Sequence, residues 1–270
     1  MTIFVPVIMV LTLSGCENGP SAPSGDDKGT LRVLMHDAPG DFEELWVDIQ
    51  RVEVNNLEDA DQGWIVINEP DERYDLLELI NGAHVVLGEE ELEPGTYRQI
   101  RLILGEDNSI IVNGEEQDIK VPSGSQTGLK LNIDADIEPA ITYTLLLDFD
   151  ARRSVVTRGQ GQGTNPSYLL KPVIRATSEA DAGNIAGEVE PVDAHPWIYA
   201  IAEEDTLSST RADEESGEFM LMSLEEGTYD VAFEPVEGYE ETTIGDVEVE
   251  AGETTEFGTV EISEEEENNE

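Results

Sequence analysis

The stretch Leu92-Glu93-Pro94-Gly95-Thr96-Tyr97-Arg98-Gln99-Ile100-Arg101-Leu102-Ile103-Leu104 sets the reading of this chain. A Pro-Gly turn leads into a run in which Ile100, Leu102 and Leu104 alternate with Gln99, Arg101 and Ile103. A period of two puts alternate side chains on opposite faces of a strand. Working outward, the same period recurs on both sides. Leu31, Val33 and Met35 form a strand, and His36 to Asp41 reads as the turn that ends it. In Glu43 to Val54, Leu45, Val47 and Ile49 share a face that Val52 and Val54 do not, so a bulge is expected near Gln50-Arg51. Trp64 to Asn68 is a short strand, and Tyr74 to Leu79 is ambiguous between strand and helical turn. Ser109 to Val112 and Gln117 to Val121 flank Asn113-Gly114, the strongest two-residue hairpin signal. Leu129 to Ile137, Ile141 to Phe149 and, after the Gly-rich segment Gly159 to Gly163, Tyr168 to Ala176 complete the unit. No long amphipathic helix interrupts the pattern. Many short strands punctuated by Gly and Pro predict a sandwich or barrel.

A small polar linker, Ser178 to Gly183, is followed by a second β-rich unit. Ile185 to Val189 and Trp197 to Ala202 alternate, and Leu224-Glu225-Glu226-Gly227-Thr228-Tyr229 repeats the L-x-x-G-x-Y spacing of Leu92 to Tyr97. A Tyr placed after a Gly turn can tuck its ring against the opposite sheet and hydrogen-bond a nearby loop. Both tyrosines are therefore read as structural corners. The fold class expected is all-β: two tandem antiparallel sandwiches of the Ig-like or prealbumin-like kind. The domains fall at 29–178 and 184–263, with a linker at 179–183 and a disordered acidic tail at 264–270.

The amino terminus carries a different message. An apolar run, Ile3 to Leu13, ends at Leu13-Ser14-Gly15-Cys16, which holds the only cysteine in the chain. An apolar stretch of this length followed by small residues reads as a secretory signal, although Met1-Thr2-Ile3 lacks the usual positive charge. It is shorter than the roughly 20 residues a membrane-spanning helix needs, and Pro6 and Thr12 interrupt it. The motif resembles the lipobox of prokaryotic lipoproteins. That resemblance implies removal of residues 1–15, lipid on Cys16, and a Pro/Gly/Ser-rich leash over residues 16–28. The protein would then sit outside the cytoplasm, anchored to a membrane at the cell envelope. A lone Cys makes no internal disulfide, so stability must come from hydrophobic cores.

Charge narrows the partners. The formal net charge is −47, from 14 basic and 61 acidic residues in 270. From residue 184 onward Arg211 is the single basic residue against 28 acids. Nucleic acid and anionic membrane surfaces are bound by clustered Lys and Arg, which neither unit offers. A dense carboxylate surface that is poor in Lys fits a saline, halophilic habitat, where salt screens the self-repulsion.

Further residues carry family resemblances. Gly29-Thr30-Leu31 through Asp37-Ala38-Pro39, Leu92 to Leu102, Val121 to Leu131, Leu147 to Ala151 and Leu170 to Ile174 resemble the DUF4382 family over about residues 28–178. This is a family of prokaryotic lipoproteins without an assigned activity. Thr210 to Asp213, Ser216 to Phe219 and Leu224 to Tyr229 resemble the carboxypeptidase regulatory-like (prealbumin-like) domain over about 184–263. That second likeness implies a seven-stranded accessory module.

No catalytic set is legible. His36, His84 and His195 lack metal-ligand spacing, and His36, in its expected turn, is read as solvated. Ser123-Gly124-Ser125 has no base nearby in sequence, and Gly159-x-Gly161-x-Gly163 is no phosphate loop. Alternation puts Asn132, Asp134, Asp136 and Glu138 on one face of a strand. Asp148 and Asp150 on a neighbouring strand would be needed to approach the 6–8 oxygens calcium takes, so no metal or cofactor is assigned. The expectation is a non-enzymatic binding or structural lipoprotein with a protein or polysaccharide partner, the alternatives being a calcium-stabilised accessory lipoprotein and, behind it, an enzyme with a site the sequence does not reveal.

Overall fold

The computed structural model describes residues 28–56, 63–122, 128–158 and 167–265. In the first domain two sheets face each other. One holds β1 (Gly29–Ala38) at its centre. The other is built around β2 (Glu44–Asn55), the longest strand. One edge of β2 carries β3 (Trp64–Asn68) and β4 (Glu72–Asp75), the latter running into a 3-10 turn at Leu76–Glu78. After β4 the chain crosses to β5 (Val85–Leu92), which pairs antiparallel with β1, and returns as β6 (Gly95–Leu104) on the far edge of β2. The β2–β6 register shifts between Ile49 and Arg51, so the bulge lies where the parity change placed it. It lets Ile49, Val52 and Val54 all reach the core.

β7 (Ser109–Val112) and β8 (Glu115–Asp118) form the Asn-Gly hairpin, with Asn113 and Gly114 both at positive φ. β9 (Leu129–Ile137) joins β6, and β10 (Thr142–Asp150) lies parallel to β1. One helical turn (Ala151–Ser154), capped by the Asp150 side chain, leads to β11 (Val155–Arg158), β12 (Ser167–Leu170) and β13 (Ile174–Ser178). β11 and β12 pair with each other, Leu169 of β12 also bridges in parallel to Lys120, and β13 is antiparallel to β10. The core fills with Leu31, Val33, Leu145 and Leu147 from one sheet and Val47, Ile49, Ile100 and Leu102 from the other.

The second domain is a seven-stranded sandwich with its own core. β14 (Gly183–Glu190), β15 (Trp197–Ala202), β16 (Asp205–Arg211), β17 (Glu218–Leu224), β18 (Gly227–Glu234), β19 (Thr242–Val249) and β20 (Thr254–Glu261) follow in order. They arrange as a three-stranded sheet, β17-β14-β20, and a four-stranded one, β16-β15-β18-β19. Ile185, Leu221, Val231 and Phe233 meet between them, and Phe219 packs edge-on to Phe233.

Several expectations need correction. The turn expected at His36 begins only after Ala38, because β1 stays paired with β10 through Ala38, beyond Met35 where its pairing with β5 stops. Tyr168 to Ala176 is two strands; the segment around Pro172, which has no N–H to give a ladder, separates them. β5 and β11 had no expected counterpart. Residues 179–182 form a tight turn in which the Ala182 N–H donates to Ser178 O. Neither sandwich is wholly antiparallel, since β1 with β10 and β14 with β20 are parallel pairs. Of the acidic tail, Glu264 bridges to Tyr239 and the Glu265 N–H donates to Gly238 O. Cys16, its flanks and residues 266–270 lie outside the described residues.

Candidate functional site

In β1 the odd residues face the core, which leaves Leu34 and His36 on the outer face of the sheet. Asp148 lies beside His36 in the parallel register, and Arg175 lies beside Asp148 on β13. Polar side chains on an outer face are ordinary. Here, however, His36 is 1% exposed and Asp148 3%, because the second domain covers this part of the sheet.

Ser223 makes the contact. Strict alternation along β17 would turn Ser223 inward with Phe219 and Leu221. Instead the register with β14 shifts there, Ser223 takes φ +56°, and Leu224 becomes the core residue. A bulge that re-aims one side chain produces this outcome. The Ser223 hydroxyl stands 2.6 Å from His36 Nε2, while His36 Nδ1 lies 3.7 Å from Asp148 Oδ1. Arg175 binds the other carboxylate oxygen of Asp148. Hydroxyl, imidazole and carboxylate thus stand in the order of a nucleophile, base and orienting acid. The arrangement is sealed, however: Ser223 is 1% exposed, so no substrate carbonyl reaches its oxygen. The Nδ1–carboxylate gap also exceeds a hydrogen bond.

Burial dominates the titration of this cluster. It lowers the pKa of His36, which Asp148 opposes and Arg175 and His84 reinforce. Asp37, next along β1, is pushed well above the usual carboxylate range by burial and then by Asp148, while the Ala151 N–H on its Oδ1 pulls the other way. Among the described residues His36 Nδ1, Asp148 Oδ1 and Asp37 Oδ2 have no hydrogen-bond partner.

A second polar contact ties the domains. Asn81, at φ +51°, inserts its carboxamide between β16 and β17. Its Oδ1 accepts from Thr210 Oγ1 (2.7 Å) and from the Met220 N–H (3.0 Å), and its Nδ2 donates to Arg211 O (2.9 Å). The side chain thereby replaces a peptide group between two strand edges. Beside it opens a cleft of about 950 Å³, walled by Leu77, Glu78, Ile80 and Asn81 on one side and by His195, Arg211 and Glu218 on the other. The Arg211 guanidinium stacks over Trp197 at 5.2 Å.

The remaining candidates do not converge. Asn132, Asp134 and Asp136 do share the exposed face of β9, and Glu138, just past its end, is exposed as well. Asn132 accepts from Gln99, Asp134 pairs with Arg98 at 3.7 Å, and Asp136 accepts from Thr96. Asp148 and Asp150 belong to the opposite sheet, one buried against Arg175 and the other capping the helical turn. They do not complete an oxygen cage there. Among the described residues no group of three or more His, Cys, Asp or Glu is placed to hold a metal ion. His84 is exposed, and His195 is half-buried with Nδ1 3.7 Å from Glu214. Ser123 to Ser125 and Gly159 to Gly163 lie outside the described residues. The solvated role expected for His36 is the clearest error, and Ser223 drew no notice in the sequence because its partner is 187 residues away.

The two tyrosines are corners as expected. Tyr97 OH donates to Glu93 O (3.1 Å) and Tyr229 OH to Glu225 O (2.8 Å), each four residues back, with both side chains almost fully buried.

Residues 28–172, just over half the chain, match the family described as Domain of unknown function (DUF4382). The chain belongs to the DUF4382 family. A search of curated proteins finds no match. Among solved structures the chain is similar to the Bacillus anthracis TIE protein, at 12% identity over 88% of this chain and 34% of that one, with a TM-score of 0.24. It thus spans about a third of that protein's length. A minor pilin of Streptococcus agalactiae aligns at 12% identity over 88% of this chain and 96% of its own, with a TM-score of 0.24. A fimbrial protein from Bacteroides ovatus aligns at 9% identity over 87% and 50%, with a TM-score of 0.23. Similarity at this level says nothing about what the chain does. Among the described residues of this DUF4382 protein, no helix is long and apolar enough to cross a membrane.

Proposed function

We propose that this DUF4382 protein is a lipid-anchored extracytoplasmic protein with a non-enzymatic binding or structural role at the cell envelope. Cys16 carries the lipid, residues 16–28 act as leash, and the two sandwiches present the cleft beside Asn81 to a protein or polysaccharide. The second sandwich, with seven strands split four and three, serves as a carboxypeptidase regulatory-like accessory module. One observation supports the non-enzymatic part: the hydroxyl–imidazole–carboxylate alignment seen among the described residues is buried where it joins the domains, so its polar groups act as structure. The acidic surface, with 61 acids against 14 bases, suits a saline exterior.

Mass spectrometry of the protein purified from its own membranes tests the anchor. The expected product begins at Cys16 and carries lipid; an unprocessed amino terminus with a bare thiol overturns the placement. A glycan and surface-protein binding screen in high salt tests the role. Loss of a hit in an Arg211→Ala variant would assign it to the cleft, whereas turnover of any screened substrate would refute the non-enzymatic reading.

A further inference from the structure

We propose that the His36–Ser223 contact is a pH-sensitive latch, which holds the two sandwiches together while the imidazole is neutral and loosens them when it takes a second proton. The carboxylate of Asp148, 3.7 Å from Nδ1, favours the tautomer with the proton of the neutral ring there, which leaves Nε2 as an acceptor for the Ser223 hydroxyl at 2.6 Å. A second proton occupies that lone pair. The hydroxyl must then turn away and offer its oxygen, and a full positive charge is left in a boundary where both partners are at most 1% exposed.

The surroundings do not neutralise that charge. From β10 comes Asp148, already bound by Arg175 and too far from Nδ1 for a hydrogen bond. From β13 comes the Arg175 guanidinium, and from the segment before β5 comes His84, both of which oppose a second cation. Asp37 follows on β1, its carboxyl raised well above the ordinary carboxylate range by burial. From the second domain comes the Ser223 hydroxyl, which carries no charge. Separation of the domains would instead give the ring water.

The sign follows from linkage. The latched state disfavours the protonated ring, so it binds fewer protons than the open state, in which the imidazole titrates near about 6.5. Latching is complete above that value. Below it, the closed-to-open ratio falls by up to about tenfold per pH unit until the closed-state pKa is reached.

The test uses the full processed chain at constant high salt, between about pH 8 and about pH 5, across the imidazole range. Hydrogen–deuterium exchange, expressed as protection relative to the intrinsic amide rate at each pH, is read at β17 and at residues 76–82. Acidification is expected to lower protection there while β2 and β15 keep theirs. A His36→Gln variant should lose this dependence, and His84→Gln and His195→Gln variants should keep it. Boundary protection indifferent to pH, or a His36→Gln variant with the wild-type response, would overturn the latch. Should that variant fail to fold, imidazole NMR of the wild type decides. Titration of His36 in step with boundary protection supports the proposal, and titration without any change in protection refutes it.

Discussion

His36 Nε2 and Ser223 Oγ stand 2.6 Å apart across a boundary that neither residue's neighbours in sequence announce. Replacing Ser223 by Ala leaves a buried ring nitrogen without a partner, an omission that costs about 1–3 kcal/mol. Ser223→Gly should cost less, because glycine accepts the φ of +56° at no penalty. Chemical denaturation of the pair of variants checks both the loss and its ranking.

Asn81 offers a cleaner probe of the boundary. Its carboxamide makes three hydrogen bonds to the second domain, and an Asn81→Gly change removes them while tolerating φ +51°. A loss of about 1–3 kcal/mol is expected, with the melting of the two domains drifting apart in calorimetry. Asn81→Ala should lose about 1–2 kcal/mol more, for the left-handed backbone.

Tyr97→Phe and Tyr229→Phe each delete one hydroxyl-to-carbonyl bond. Each should cost about 0.5–1.5 kcal/mol in its own domain. Because the rings sit in separate cores, the double variant should show the sum of the two losses.

Asp37 predicts a pH effect of opposite sign to a salt-bridged acid. Its folded-state pKa is raised, so the native chain holds a proton that the unfolded chain has released. Its contribution is present below the ordinary carboxylate pKa and is lost as pH rises toward the folded value. Asp37→Asn keeps an acceptor for the Ala151 N–H without the charge. The variant should therefore be more stable than the parent at neutral pH, and the difference should shrink in acid. Melting curves across that range measure it.

On β9, Asp134→Asn with Asp136→Asn should leave the melting temperature equally insensitive to calcium or chelator. Asp148 and Asp150, whose oxygens a calcium site would also need, are committed to Arg175 and to the cap on the opposite sheet. A calcium-dependent rise that the double variant abolishes would contradict this.

Much of the fold was readable because the strands obey a period of two, and even the β2 bulge was visible as a change of parity. β5 escaped notice because Gly88 and three successive glutamates, Glu89 to Glu91, hide its alternation. The end of β1 was misread for a related reason. His36 and Asp37 look like turn residues beside Pro39-Gly40, yet their burial depends on β10, β13 and a second domain far along the chain. The site was illegible for the same cause: a bulge at Ser223 and an asparagine in a loop acquire meaning only once two separately folded cores are brought together.

The parallel pairing of β14 with β20 has a mechanical consequence. The second sandwich is entered at Gly183 and left at Glu261, which lie at opposite ends of two side-by-side strands. Tension drawn through the chain, from a tether on one side to a load on the other, would strain the whole ladder lengthwise at once. It could not peel the bonds apart singly.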